Sequence, residues 1–462
     1  MVYLPHTDEE RRQMLEAIGV ESLEALFADI PPAYRYPELG LPEPLSEAEI
    51  LQELTELSQA NLNASLVPTF LGAGAYRHWS PSVIDYLISR GEFATAYTPY
   101  QPEVSQGTLQ AIFEYQSMIC DLTGMEVANA SHYDGATATA EAVIQAINVF
   151  RLKRKKIVLS PTLHPQYREV VRTYTQGMGL DIVGDDDPQR SLEALIALVD
   201  ADTACVIVQS PNFLGEIEPL AGLADRIHAQ DPRTLLAVVT NPLSLGLFTP
   251  PGDYGADIVL GEGQPLGLGL NFGGPYLGFY ATREKYLRQL AGRLVGETVD
   301  VDGKRGFTLT LSTREQHIRR EKATSNICTN QGLMALAATI YLAALGKQGL
   351  RKIAELNYHK AHYAAQQINV LEGYEVLTTK PFFNEFMVAC PASVEEINDF
   401  LLDDYDIEII GGYDLGRNFP GWENRMLIAV TEMNSREEID DFIEALEEFA
   451  AIHQAGGGDH HD

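Results

Sequence analysis

Three apolar runs in the middle of the chain decide its fold: Ala204-Cys-Val-Ile-Val-Gln209, Leu235-Leu-Ala-Val-Val239 and Asp257-Ile-Val-Leu260. Each is rich in β-branched residues, and stretches with helical character separate them. Continuous apolar strands that alternate with helices indicate a mostly parallel sheet that is covered on both faces. Further runs of the same kind extend the pattern on either side: Ile157–Ser160, Leu180–Val183 and Tyr276–Tyr280. Residues 105–330 are therefore predicted to form a large α/β domain.

The region before this domain, residues 1–104, has the pattern of helices joined by proline-rich connections. Thr7 with Glu10 and Ser46 with Glu49 are capping boxes, which predict two helix starts. No strand pattern accompanies them, so the region is interpreted as a helical N-terminal arm. Two placements stay open for this arm: it packs on a partner subunit, or it covers its own domain.

The region after the α/β domain, residues 331–452, is predicted to be a small α+β C-terminal domain. Helices are expected over 333–341, 350–368, 394–402 and 435–449, and strands over 374–377, 384–389, 406–410 and 425–430. Residues 453–462 are short and polar and are predicted to be a disordered tail.

Composition restricts the classes of function. The chain has 462 residues, with 33 lysines and arginines against 65 carboxylates, and its formal net charge is -32. Nucleic acid and anionic membranes would be repelled by such a charge, so neither is expected as a partner. No apolar run reaches the length of about 18 residues that a membrane span needs, and no secretory signal is visible at the N-terminus, so a cytoplasmic location is expected. The four cysteines form no CxxC pair, and no metal site or disulfide is predicted.

An arm, a parallel-sheet domain and a small α+β domain together suggest an aspartate-aminotransferase-like fold, the type I fold of pyridoxal-phosphate enzymes. Such a cofactor needs a helix N-terminus for its phosphate, an acid for its ring nitrogen and a lysine for the Schiff base. Residues 134–137 open a helix with small side chains, which fits a phosphate cradle but is better explained by close helix packing. The strand at 235–239 ends in Thr240-Asn-Pro rather than an acid, and no lysine lies between Lys156 and Lys285. Gln264 stands where the lysine is expected, and a neutral amide cannot form the imine.

Two polar stretches carry the remaining signals. The stretch Ser312–Gln331 holds four cationic side chains and a histidine in an acidic protein, and Tyr97–Gly107 is similarly rich in polar and aromatic side chains. Concentrated positive charge in an acidic chain faces an anion, a carboxylate or a partner. Solvated salt bridges that only order a loop explain the same residues. His164 is expected to be a plain loop histidine, and a residue that stacks on a cofactor ring is the alternative.

With these residues in view, the sequence resembles glycine decarboxylase, the P-protein of the glycine cleavage system. It is most similar to the first (alpha) subunit of the split, two-chain form. The resemblance covers nearly the full chain and is carried by five motifs: Tyr97-Thr-Pro-Tyr-Gln-Pro-Glu-Val-Ser-Gln-Gly107, Val127-Ala-Asn-Ala-Ser131, Pro251-Gly-Asp-Tyr-Gly-Ala-Asp257, Asn271-Phe-Gly-Gly-Pro275 and Thr313-Arg-Glu-Gln-His-Ile-Arg-Arg-Glu-Lys-Ala-Thr-Ser-Asn-Ile-Cys-Thr329.

The resemblance implies an activity that two chains share, glycine dehydrogenase (aminomethyl-transferring). A beta subunit would bind pyridoxal phosphate through its lysine, and this chain would carry no covalent cofactor and show no activity alone. Together they would decarboxylate glycine and pass the aminomethyl group to a lipoyl carrier protein, in a heterodimer that doubles to a heterotetramer. The residues expected near the partner's site or the substrate channel are Tyr97, Tyr100, Gln101, Glu103, Arg314, His317, Arg319 and Lys322.

Two alternatives remain at this point. The chain could be a self-sufficient pyridoxal-phosphate decarboxylase or lyase that uses Lys322, which would have to be desolvated with a lowered pKa. It could also be a purely structural scaffold subunit whose pocket has closed.

Overall fold

The computed structural model describes residues 6–456. The chain forms two compact units that divide between Leu62 and Asn63. The first contains helices α1 (Asp8–Ile18) and α2 (Glu47–Gln59), and both predicted capping boxes are present at their starts. Neither helix buries a residue. The predicted domain boundaries at 104/105, 330/331 and 452/453 stay predictions.

The second unit is built on a seven-stranded sheet. Its strands in chain order are β1 (Val127–Ala128), β2 (Lys156–Leu159), β3 (Asp181–Val183), β4 (Thr203–Gln209), β5 (Leu235–Val239), β6 (Ile258–Glu262) and β7 (Gly278–Thr282). Across the sheet the order is β1-β7-β6-β5-β4-β2-β3. The neighbours from β3 to β6 are parallel, and β7 is antiparallel to both β6 and β1. The predicted α/β fold with a mostly parallel sheet is confirmed.

Helices cover both faces of this sheet, as its continuous apolar strands require. They are α5 (Gln106–Thr123), α6 (Gly135–Val149), α7 (Pro165–Thr175), α8 (Leu192–Ile196) and α9 (Leu223–Gln230), and two shorter helices, α3 (Ser82–Ile88) and α4 (Gly91–Ala94), precede them in the chain. Successive residues of β4 enter different cores: Val206 and Val208 join one cluster, and Ile207 joins the other. Helix α6 packs in the second cluster, with its N-terminus at the carboxyl ends of the strands, next to the end of β6.

A hairpin and a long helix follow the sheet. The hairpin strands β8 (Leu294–Val299) and β9 (Arg305–Thr310) were not predicted, and a short helix, α10 (Gln316–Arg319), comes after them. Helix α11 (Gly332–Ile368) joins the two helices predicted over 333–341 and 350–368, and Gly346 interrupts it with φ of 58°. By length and composition α11 could cross a membrane. It is also a core helix, because Ala335, Ala338 and Tyr341 are buried in the cluster beneath the sheet.

The C-terminal part forms a four-stranded antiparallel sheet in the order β10-β11-β13-β12. Its elements are β10 (Glu375–Val376), β11 (Glu385–Ala389), α12 (Val394–Asp399), β12 (Tyr413–Asp414), β13 (Arg425–Ala429) and α13 (Arg436–Gly456). The predicted strand over 406–410 is wrong: only Ile410 pairs, in an isolated bridge to Thr69, and the apolar pattern reflects the burial of Ile409. Helix α13 extends to residue 456, and the rest of the predicted disordered tail lies outside the described residues.

Candidate functional site

The end of β6 is where this fold needs its Schiff-base lysine, and Gln264 lies there, fully buried. Its side-chain carbonyl accepts the backbone N–H of Tyr76 at 3.0 Å. Its amide nitrogen donates to the carbonyls of Tyr76 at 2.9 Å and Leu268 at 2.8 Å. Gln264 therefore ties a glycine-rich loop to the sheet, and every polar atom of its side chain has a partner.

The N-terminus of α6, the predicted phosphate cradle, binds a carboxylate of this same chain. Glu262, the last residue of β6, accepts the N–H of Gly135 at 3.0 Å. Its other oxygen accepts the N–H groups of Gln264 at 2.9 Å and Leu277 at 3.1 Å. Burial raises the pKa of Glu262 to about 7, and the three N–H donors oppose that rise. The N–H that opens the helix is thus already bonded to a side-chain carboxyl group of the chain itself.

An aromatic pair lies beside this carboxylate. His164, the N-cap residue of α7, stacks on Tyr167 with ring centroids 4.6 Å apart and planes inclined by 18°. A side chain at Gly135 would collide with the Tyr167 hydroxyl, so the phenol lies against the start of α6. His164 Nε2 is 2.8 Å from the carbonyl of Ala73, and burial lowers the pKa of His164 to about 4. His164 is thus a buried helix cap with a tyrosine on its ring face, and not a plain loop histidine as predicted.

No acid stands at the end of β5. Asn241 caps its own turn by accepting the N–H of Leu243 at 2.9 Å, and Thr240 donates to the carbonyl of Ser210.

A second buried carboxylate, Glu385 on β11, accepts the N–H of Ala73 and the hydroxyl of Tyr76, both at 2.7 Å, and burial raises the pKa of Glu385 to about 7. The residues at this end of the sheet do not fit pyridoxal phosphate, because the lysine and acid are absent and Glu262 occupies the anion site.

The predicted residues of the first polar stretch lie on the surface. Tyr97 is 85% exposed and Tyr100 is 49% exposed. Gln101 and Glu103 are exposed as well. Beside them is a cleft of about 230 Å³, formed by α4, the loop that follows it, α5 and the start of α11. Tyr97 lines this cleft.

The residues of the second polar stretch divide into inward and outward groups. Arg314 is partly buried and its guanidinium donates to the carbonyls of Leu290 and Gly292, so it orders a loop. His317 approaches Glu315 at 3.4 Å and the ring of Tyr100 at 6.0 Å between centroids. The structure therefore brings Tyr100 and His317 of the two stretches together.

Arg319 and Lys322 are exposed, and neither forms an ion pair with any residue in the described range. A lysine that forms a Schiff base needs a desolvated position with a lowered pKa. The exposed position of Lys322 gives no support to the alternative in which this residue carries the cofactor.

The second stretch is anchored to the sheet domain at its far end. Ser325 donates to the buried carboxylate of Glu141 on α6 at 2.5 Å. Burial raises the pKa of Glu141 to about 7 and the bond from Ser325 opposes the rise. Further bonds join Asn330 to Ala130 and Gln331 to Ser131, both at 3.0 Å. Within residues 6–456, no three His, Cys, Asp or Glu side chains are grouped so that they could hold a metal ion.

Comparison with known proteins identifies the family of this chain. A family model described as "Glycine cleavage system P-protein" matches residues 1–446. The chain belongs to the P-protein family. A relative from Thermomicrobium roseum, named "Probable glycine dehydrogenase (decarboxylating) subunit 1", is 56% identical and covers 98% of this chain and 100% of its own. A relative of the same name from Bacillus mycoides is 51% identical over 96% of this chain and 98% of its own.

Solved structures agree with this family. A crystal structure titled glycine decarboxylase (P-protein) of the glycine cleavage system, in inhibitor-bound form, is 46% identical with a TM-score of 0.87, and covers 97% of this chain and 100% of its own. A glutamate decarboxylase from Lactobacillus brevis shares the fold at 15% identity with a TM-score of 0.66, over 92% of this chain and 97% of its own. The predicted type I fold of pyridoxal-phosphate enzymes and the predicted family are confirmed.

Sequence reasoning missed three residues of this P-protein family member. Glu262 and Tyr167 lie against the start of α6, where a phosphate would bind, and Arg293 lies between the two polar stretches, where its guanidinium donates to Tyr100. A glutamate at the end of an apolar strand was a visible signal for the first, since a buried carboxylate needs partners. Arg293 gave no signal, because it lies 19 residues before the basic run and only the hairpin brings it there.

Proposed function

We propose that this chain is the non-cofactor-bearing subunit of glycine dehydrogenase (aminomethyl-transferring). With a second chain it decarboxylates glycine and passes the aminomethyl group to the lipoyl carrier protein. The observation that carries the proposal is the pocket at the end of β6: Gln264 replaces the lysine, and Glu262 is bonded to the helix N-terminus that would hold the phosphate. An enzyme of this family with no place for the cofactor must use another chain's cofactor.

The partner in this proposal is a beta subunit of the same fold that carries the lysine and binds pyridoxal phosphate. When bound, that cofactor accepts the electrons released when carbon dioxide leaves. The names of the relatives as "subunit 1" support a second subunit. The proposed assembly is one alpha with one beta chain, doubled to a heterotetramer in the cytoplasm.

The surface that carries Tyr97, Tyr100, Gln101 and Glu103 is the proposed contribution to the partner's site, together with Arg314, His317, Arg319 and Lys322. Aromatic and cationic side chains suit an anionic substrate and a carrier arm. Arg319 and Lys322 are exposed cations in a chain of net charge -32, so they are available for a partner or an anion.

The N-terminal unit supports the heteromer. Residues 1–62 contain 13 carboxylates against three arginines. The unit also exposes many large apolar side chains, among them Ile18, Leu51, Leu54 and Leu57. An exposed apolar surface of this extent marks an interaction site. Its acidic character favours a partner surface with a basic rim.

Reconstitution tests the proposal. The chain alone should show no glycine–bicarbonate exchange, and a 1:1 mixture with the beta chain should be active in the presence of lipoyl carrier. Exchange by the chain alone would refute it. An assembled, active complex whose rates are unchanged by Tyr100→Phe and Tyr97→Phe together would favour the scaffold alternative instead.

A further inference from the structure

A cluster of four side chains, named here the Tyr100 cluster, joins the two polar stretches: Tyr100, Arg293, Glu315 and His317. Arg293 Nη2 donates to the Tyr100 hydroxyl at 2.7 Å, and its guanidinium carbon lies 5.3 Å from the centre of the Tyr100 ring. Its Nε is 3.6 Å from Glu315 Oε2, which lies 3.4 Å from His317 Nδ1. One buried arginine therefore contacts both stretches.

The direction of the bond to Tyr100 matters. A guanidinium has only donors, so the phenol oxygen must be the acceptor. The proton of the Tyr100 hydroxyl is then turned away from Arg293. Within residues 6–456 this proton has no acceptor, and the side chain is 49% exposed. Tyr100 thus presents a hydrogen-bond donor to the outside of the chain.

Arg293 is built into the fold at this position. It is only 4% exposed, it directly precedes β8, and its carbonyl accepts the N–H of Ala130 at 2.9 Å. Its Nε and Nη1 have no hydrogen-bond partner within the described residues, and neither does Glu315 Oε2. Burying a guanidinium whose only hydrogen bond goes to an exposed phenol is costly, and Glu315 offsets only part of this cost because its Oε2 lies 3.6 Å from Nε, beyond hydrogen-bond reach. A functional reason for tolerating this cost is that Arg293 fixes the direction in which the Tyr100 hydroxyl donates.

We propose that Arg293 is a positioning residue that holds Tyr100 as a hydrogen-bond donor to the carboxylate of glycine in the partner's active site. The inference rests on the proposed function, in which this surface closes that site. Tyr100 touches the substrate, and Arg293 acts through Tyr100. Since a free carboxylate offers only acceptors, it accepts the proton that Arg293 has turned outward.

The test uses the complex reconstituted with the beta chain, with glycine varied at saturating carrier and, separately, the carrier varied at saturating glycine. Tyr100→Phe and Arg293→Gln should each lower kcat/KM for glycine by about 10- to 100-fold, the range for a hydrogen bond to a charged group. The loss should lie mainly in the KM for glycine, because the bond exists in the ground state as well as in the transition state. The KM for the carrier should stay within about twofold of wild type.

Three further variants make the test specific. The double variant Tyr100→Phe with Arg293→Gln should be no worse than the poorer single variant, because both changes remove one interaction. Arg293→Lys should recover part of the activity. Arg305→Gln is the matched control, since Arg305 is an exposed arginine of the same hairpin that pairs with Glu297, and it should match wild type. If Arg293→Gln folds poorly, adding Glu315→Gln removes the carboxylate left unpaired.

The outcomes separate the two proposals. Wild-type kinetics for Tyr100→Phe in an intact complex would refute both the contribution of this surface to catalysis and the role of Arg293. The role of Arg293 would be overturned, but not that of Tyr100, by either of two results. In the first, Tyr100→Phe lowers kcat/KM for glycine and Arg293→Gln does not; in the second, the losses of the two single variants multiply in the double variant. A raised KM for the carrier with an unchanged KM for glycine would overturn the glycine carboxylate as the acceptor. The Tyr100 hydroxyl would then donate to the sulfur of the carrier's lipoyl arm instead.

Discussion

Restoring the lysine by Gln264→Lys should not restore cofactor binding, and it should destabilise the chain. The substitution removes the acceptor of the buried Tyr76 N–H and places an ammonium where a neutral amide donates to two carbonyls. An unsatisfied buried donor costs about 1–3 kcal/mol, and desolvation of the ammonium adds to it. We expect a loss of about 2–4 kcal/mol in the free energy of unfolding.

The assay combines urea unfolding with cofactor titration. Gln110→Lys is the control, because Gln110 is exposed on α5, and surface substitutions change stability by about 0.5 kcal/mol or less. With pyridoxal phosphate added, Gln264→Lys should develop no absorbance that borohydride fixes to residue 264, since Glu262 still holds the helix N-terminus. A stable variant that is labelled at residue 264 would refute the account of the pocket.

The other predictions concern charge, assembly and order. Three buried carboxylates, Glu141, Glu262 and Glu385, have folded-state pKa values of about 7, above the ordinary value of 4.5. Their contribution to stability is complete below pH 4.5 and is lost as the pH rises through 7. The urea midpoint of the chain should therefore fall between pH 4.5 and pH 7, and it should fall less in Glu385→Gln. Leu54→Glu and Leu57→Glu, both on exposed positions of α2, should leave the fold intact and weaken binding of the beta chain about 10-fold or more in calorimetric titration; equal affinity would show that the arm does not dock on the partner. Ser325→Ala should remove the bond from residues 312–331 to Glu141 and speed tryptic cleavage at Arg319, Arg320 and Lys322 several-fold under native conditions, with a loss of about 1–3 kcal/mol in the free energy of unfolding because buried Glu141 loses its donor. A cleavage rate equal to wild type would mean that this bond does not order the stretch.

Six of the seven strands of the sheet were predictable from sequence because they are short, apolar and rich in β-branched residues, whereas the two-residue strand β1 was not predicted. The absence of the lysine was predictable too, since it depends on the identity of Gln264 alone. The hairpin of β8 and β9 was missed, although its strands alternate in polarity around an Asp-Gly turn at 302–303. The filling of the pocket was not predictable, because Tyr167 and Glu262 are nearly 100 residues apart and only the packing of α7 and β6 against α6 brings them together.

The surface residues show a second limit. Sequence grouped Arg314 with Arg319 and Lys322 as one basic run. Arg314 turns inward to two backbone carbonyls, and the other two stay outside. Spacing in a loop does not determine direction, since no helical or strand period fixes which side chains face the core. The strand predicted over 406–410 failed for a related reason, because only Ile409 of its three isoleucines is buried.

The central claim is that this chain binds no cofactor of its own and contributes residues to the active site of the beta chain. Borohydride reduction of the active reconstituted complex, followed by peptide mapping, tests it most directly. The account predicts that the pyridoxyl label is found on a lysine of the beta chain and on no lysine of this chain. A stoichiometric label on Lys322, or on any other lysine of this chain, would contradict it.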